Sequence, residues 1–264
     1  MGVTIQEVID RLKDSGPDTV DGVDGLLFGD PDAPVSGIVT AFSATHRVLR
    51  RSIALNANLV ISHEGIFYSH RHEQTVPEAD SVRRDKERLI EEAGLAVYRC
   101  HDFVHRCRPD LITRGLIRAL GWESYLVKES PEAGILHLPK TTLNRLVQRV
   151  KERLDLPYLR VAGDLSAECS RVGILVGYRG GGRTAIPLYE GEGVDAVIAG
   201  EGPEWEAPQY VKDAAFQGKG RAYIALGHAE SEEPGMKYLA EVLGRSFPCL
   251  AVHFVPETPV FRVV

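Results

Sequence analysis

Long apolar runs are missing from this 264-residue sequence, and with them the transmembrane helix, which needs about 20 consecutive apolar residues. Cysteine is scarce: Cys100, Cys107, Cys169 and Cys249 stand apart, with no C-x-x-C spacing. That excludes a zinc ribbon and a dithiol redox motif, and a reduced, cytoplasmic setting is expected. Excess positive charge is also lacking. A net charge of -6 gives no general attraction to phosphate backbones, so neither nucleic acid nor a membrane is expected as partner. The basic run Arg83, Arg84, Lys86, Arg88 alternates with acids and reads as a solvated helix face. The opening MGVTIQEVIDRLKDSG has helical apolar spacing in place of a signal-peptide core. Gln6 stands where a myristoylation signature wants Ser or Thr.

What is present is a globular composition with repeated strand and helix patterns. SGIVTAFSA (36–44) and ANLVISHE (57–64) have strand character and flank a helical THRVLRRSIALN (45–56), which makes a βαβ unit. A helix is predicted over 78–94, capped by Gly94, then a strand at LAVYRC (95–100) and a helix after Pro109. Further on, TTLNRLVQRVKERL (141–154) places Leu143, Leu146, Val147, Val150 and Leu154 on one face behind a threonine cap. SRVGILVGYRGGGR (170–183) is a strand opening into a glycine-rich loop, and GVDAVIAGE (193–201) is another strand. RAYIALGHAESE (221–232) reads as strand then turn, 233–244 as a helix and 248–257 as a closing strand. This alternation predicts an α/β fold with mixed sheets covered by helices.

In such sheets functional groups gather beyond the carboxyl ends of strands. Metal-ligand residue types stand at these ends: His63 with Glu64, His101 with His105, and His228 with Glu232. The last two pairs have i, i+4 spacing, which puts both side chains on one face of a helical turn. Four imidazoles and two carboxylates exceed one tetrahedral zinc and suit two divalent ions about 3.5–4 Å apart. Nitrogen and oxygen donors favour zinc, iron(II), manganese or nickel, without choosing among them. Glu201 ends a further strand and is the candidate proton shuttle, or else a partner orienting a ligand histidine. His70 and His72 read as solvated loop residues, His253 as a half-buried strand residue, Cys100 as core; Cys107 is undecided. GYRGGGR, with Arg179 and Arg183, could cradle an anion or be a plain turn; it lacks the G-K-[ST] ending of a P-loop.

These residues resemble the NIF3-like family, also described as GTP cyclohydrolase I type 2 or dinuclear metal-centre proteins, over most of the chain. VDGLLFGDP is similar to its D-N-x-G-L-x-x-G element, NLVISHEGIF to I-x-H-H-P-[IL]-[IF], and VYRCHDFVH to V-Y-x-x-H-T-N-x-D. RVGILVGYRGGG, VDAVIAGE and ALGHAESE resemble its V-A-x-x-x-G-S-G, A-D-x-x-x-T-G-E and G-H-x-x-[ST]-E elements in the same order. The resemblance implies metal ligands at His63, Glu64, His101, His105, His228 and Glu232. Two of these depart from the family pattern: Glu64 stands for a histidine and His105 for an aspartate. The exchange restores the ligand tally, while an imidazole at 105 cannot bridge two metals; Asp102 is a rival ligand. The resemblance further implies two α/β lobes, 1–124 with 222–264 for the metal site and 125–221 for the second, and a homo-hexamer. The function expected is a dinuclear-metal hydrolase of cyclohydrolase or amidohydrolase type acting on a nucleotide-like or heterocyclic small molecule. A non-catalytic metal-handling or adaptor protein is the alternative, and a two-metal phosphoesterase the third reading.

Overall fold

The computed structural model describes residues 2–13, 22–71 and 80–264. His72, the end of the helical opening segment and the first residues of the helix predicted over 78–94 lie outside them. The chain divides into two compact units, Met1–Leu111 with Met236–Thr258, and Ile112–Gly235 with Pro259–Val264.

The first unit is built on five strands, β1 (Gly25–Phe28), β2 (Ile38–Ala41), β3 (Leu59–Ser62), β4 (Ala96–Arg99) and β11 (Val252–Phe254). Their order is β1-β4-β3-β2-β11, parallel except for β1, which runs antiparallel along β4. Every residue of β2, β3 and β4 is buried, the mark of central parallel strands covered on both faces. Helices α1 (Ile5–Lys13), α2 (His46–Ala54), α3 (Ser81–Glu92) and the short α4 (Asp102–Arg106) complete it. Thr45 and Asp80 cap α2 and α3 by accepting the N–H of Val48 and Arg83. Val48, Leu49 and Ile90 from these two helices pack on Val39, Val60 and Val97 of the sheet.

The second unit holds β5 (Leu126–Glu129), β6 (Gly134–Thr142), β7 (Arg160–Ala162), β8 (Glu168–Leu175), β9 (Ala196–Ala199) and β10 (Ala222–Ala225), in the order β5-β6-β8-β9-β10-β7. Strands β8, β9 and β10 are parallel, and the others are antiparallel to their neighbours. Helices α5 (Leu111–Leu120), α6 (Leu143–Leu154), α7 (Gly182–Gly191) and α8 (Ala207–Phe216) belong here. The helix α9 (His228–Ser246) starts here and ends in the first unit.

Two expectations differ from this architecture. The units meet at 111/112 and 235/236 where 124/125 and 221/222 were expected, because β10 pairs residue for residue with β9 and belongs to the second sheet. The turn expected before a helix at 233 is absent: α9 runs from His228 through Pro234. Its Pro234–Gly235 segment lies against Gly115 of α5, where a Cβ on Gly115 would meet Gly235 N at 2.7 Å. Close helix packing here outweighs the helix-breaking tendency of proline and glycine.

Candidate metal centre

In the first unit, topology brings two histidine-bearing strand ends together. β3 and β4 are parallel neighbours, so the residues after each leave the sheet side by side, and Cys100 N–H donates to the Ser62 carbonyl at 2.8 Å. His63 therefore stacks on His101, with ring centroids 4.5 Å apart. Helix α4 then places His105 one turn beyond His101; its ring centroid is 4.9 Å from that of His63 and 5.0 Å from that of His101. Asp24, from the loop before β1, secures that turn by accepting three backbone N–H groups, those of His101 at 2.6 Å, Asp102 at 2.9 Å and Phe103 at 2.7 Å.

Each of the three imidazoles is held by its Nδ1. His63 donates to the Cys100 carbonyl at 3.2 Å, His101 to Asp102 Oδ1 at 2.9 Å and His105 to Asp110 Oδ2 at 3.1 Å. Carbonyl and carboxylate oxygens only accept, so the protons sit on Nδ1 and the lone pairs on Nε2. This is how metal-binding histidines are oriented by their outer partners. One nitrogen from each of His63, His101 and His105 lies within 4.8 Å of the others. Donors on a tetrahedral zinc sit about 3.3 Å apart, so modest side-chain rotation closes the set. The residues fit a divalent ion. Burial, and then the neighbouring His63 and His105, push the His101 pKa down to about 3, so its imidazole is neutral at physiological pH.

Glu64 is placed differently from the imidazoles. Its Oε2 accepts from Nη2 of Arg99 at 3.0 Å, a guanidinium with no exposed side-chain surface, while its Oε1 is 3.7 Å from His101 Nε2. Arg99 also donates to the carbonyls of His63, at 3.4 Å, and His70. Glu64 is thus the counter-ion of a buried arginine as well as a neighbour of the cluster. His70, expected in a solvated loop, has a ligand atom within 4.8 Å of those of Glu64 and His101, although its side chain is 52% exposed. Asp102 is committed to His101 and to the Val23 N–H at 3.1 Å, so it orients a histidine where a rival ligand was considered. Cys107 is buried, and burial with Asp110 nearby pushes its thiol up to about 11, which keeps it protonated at neutral pH.

Sequence reasoning missed Asp24, Arg99 and Asp110. A short-range signal existed for Asp110 alone, five residues after His105; Arg99 ends a buried strand, where a charge is not expected.

In the second unit, β9 and β10 are parallel neighbours, and their ends bring Glu201 to His228. His228 Nδ1 donates to Glu201 Oε1 at 2.8 Å, and its Nε2 is 3.2 Å from Glu232 Oε2, one turn along α9. Glu232 is buried and Glu201 is 42% exposed at its side chain. The glycine-rich loop is no open cradle: it leads into α7, whose Gly182 N–H is taken by Glu206 Oε2 at 2.6 Å.

The fold and this cluster define an α/β protein with imidazoles at strand ends that can hold a divalent metal. The chain belongs to the Duf34/NIF3 (NGG1p interacting factor 3) family, whose model matches residues 4–259. A GTP cyclohydrolase 1 type 2 homolog of Clostridium acetobutylicum is 27% identical over 256 residues, 92% of this chain and 90% of that one. One from Pasteurella multocida is 27% identical over 219 residues, 81% of each. A Bacillus cereus protein related to NIF3 has the same fold, with a TM-score of 0.81 at 16% identity over 100% of both chains. Among the described residues no helix is long and apolar enough to cross a membrane.

Proposed function

We propose that the chain is a metal-dependent hydrolase of cyclohydrolase or amidohydrolase type, acting on a nucleotide-like or other heterocyclic small molecule, with two divalent ions per chain. The observation that carries the reading is the set of three imidazoles whose Nδ1 atoms are all held by oxygen acceptors and which each bring a ring nitrogen within 4.8 Å of the others. His63, His101 and His105 would hold metal, Glu64 would offer Oε1, and His228 and Glu232 supply a further imidazole and carboxylate. A bound divalent ion supplies a Lewis acid and a water of lowered pKa. Asp102 and Asp110 keep the His101 and His105 imidazoles in the tautomer that binds metal. Glu201, bonded to His228 Nδ1, orients that ring and is the carboxylate available to carry a proton. The names of the curated relatives support the cyclohydrolase type. A homo-hexamer in the cytoplasm completes the proposal, and light scattering measures the assembly.

One observation favours a second reading, a metal-handling or adaptor protein without turnover. Glu64 spends one oxygen on Arg99, which lowers the charge it can give a metal. The phosphoesterase reading is less favoured, since Glu206 takes the Gly182 N–H at the helix N-terminus that follows the glycine-rich loop. The test is elemental analysis of chelator-stripped, zinc- or manganese-loaded protein, followed by assay on nucleotides and heterocyclic amides. Two ions per chain and chelator-sensitive hydrolysis, with metal lost in His63→Ala, support the hydrolase. Metal without turnover across the panel leaves the handling reading, and no metal at all removes both.

A further inference from the structure

We propose that the first unit carries a second, metal-independent site: a cleft between α2 and β11 that binds a phosphorylated small molecule. The cleft encloses about 470 Å³, and its walls include Arg47, Arg50 and Arg51 of α2 and His253, Phe254 and Val255. That volume is in the range of small-molecule sites, about 300–1,000 Å³. None of the residues of the histidine cluster lines it.

The three arginines stand at i, i+3 and i+4 and so share one face of α2. On α3 acids alternate with the cations, so Arg83 meets Glu87 at 2.9 Å and Arg88 meets Asp85, while Lys86, expected on a solvated face, is buried and donates to the Ile66 carbonyl. Helix α2, HRVLRRSIA, contains no acid. Glu257 approaches the cleft, but it lies 3.6 Å from Arg47 Nε and accepts from the Thr45 hydroxyl, so its charge is already engaged. Arg47 is held further by the Pro256 carbonyl. Among the described residues Arg50 and Arg51 have no side-chain hydrogen bond or ion pair, and both are exposed.

The helix dipole accounts for a cation in the last turn, where Arg51 sits, but not for Arg47 beside the first turn. Like charges at i, i+4 repel, and a bound anion relieves that repulsion. Guanidinium forks match phosphate oxygens, while Leu55 and Phe254 give the cleft an apolar wall for the organic part of the ligand. The chain carries a net charge of -6, so such a patch is a local feature and not a consequence of composition.

Calorimetric titration of the full chain in excess chelator, at constant ionic strength, tests the proposal without any metal on the histidines. ATP is the probe, with tripolyphosphate and adenosine in parallel. Saturable binding of ATP is expected, weakened at least about tenfold in Arg50→Ala/Arg51→Ala, whose unfolding midpoint stays that of the parent because both residues are exposed. Tripolyphosphate binding as tightly as ATP shows recognition of phosphate alone, and weaker binding shows that the organic body contributes; either supports the site. Adenosine binding as tightly as ATP, equal ATP binding by the double variant, or no saturable binding at millimolar ATP overturns it. Because chelator is present, these results are independent of whether the histidine cluster binds metal.

Discussion

The two groups of metal-competent residues are secured by different physics. In the first unit, buried charge fastens the segment after β3. Arg99 reaches Glu64 and the carbonyls of His63 and His70, and Lys86 donates to the Ile66 carbonyl at 2.8 Å with its ammonium 4.7 Å from the Tyr68 ring centroid. In the second unit, close backbone approach does this work. Gly177 N–H donates to Ser231 Oγ at 2.8 Å, and a Cβ on Gly200 would fall 2.5 Å from the Gly177 carbonyl oxygen. Charge can be titrated or neutralised, whereas a glycine contact responds only to volume. The first group should therefore be sensitive to pH and to charge substitutions, and the second to added methyl groups.

The largest expected effect is at the Arg99–Glu64 pair. Glu64→Ala leaves a buried guanidinium without its counter-ion and should destabilise the protein by about 3–5 kcal/mol in urea unfolding. Adding Arg99→Met should recover a large part of that loss. Equal stability of Glu64→Ala and the parent would show that buried charge does not secure the segment. Glu64→His carries the same penalty because it too removes the carboxylate. In the second unit, Gly200→Ala forces a methyl group onto the Gly177 backbone and should cost about 3 kcal/mol, with no dependence on pH. An alanine tolerated there would break the comparison from the other side.

A smaller effect is expected on metal affinity, in zinc titrations of folded variants. Asp110→Asn should weaken zinc binding about 10–100-fold, by loosening the hold on His105 Nδ1. Glu201→Gln should cost only a few-fold, because the Glu201 side chain is 42% exposed and Asp110 is 5% exposed. Equal losses would mean that His228 contributes as much as the imidazoles of the first unit.

The smallest effect is that of pH on Lys86. Burial pushes its pKa from 10.5 down to about 8, with Glu257 opposing, so the folded protein sheds this proton before the unfolded chain does. The cost of burying the charge is fully present below pH 8 and is relieved as pH rises from 8 toward 10.5. Between pH 7 and 9 the parent should gain about 1 kcal/mol relative to Lys86→Met. Parallel pH profiles for the two proteins would place Lys86 outside this account.

Most of the fold was legible in the sequence because its elements have strong periods. The helix predicted over 45–56 is α2, and the apolar face named in 141–154 supplies Leu143, Leu146, Val147 and Val150 to the core. Short or edge elements such as β1, β5 and β7 carry too few residues to show a period, and they were not predicted. For the candidate site, the ligand types and the i, i+4 pairs His101/His105 and His228/Glu232 were legible, since a single helical turn is local.

By itself the sequence determined which residue types stand at which strand ends, because alternating apolar segments and polar punctuation set where each strand stops. Tertiary structure decided which strand ends are neighbours and which nitrogen of each imidazole is held. The carboxylate at 64 meets a buried Arg99 that is 35 residues away, and the imidazole at 105 is held by Asp110. Such pairings depend on the parallel register of β3 with β4 and on the cap that Asp24 supplies from 77 residues before His101. Sequence periodicity reports how one segment faces the core, and it carries no term for contacts between segments.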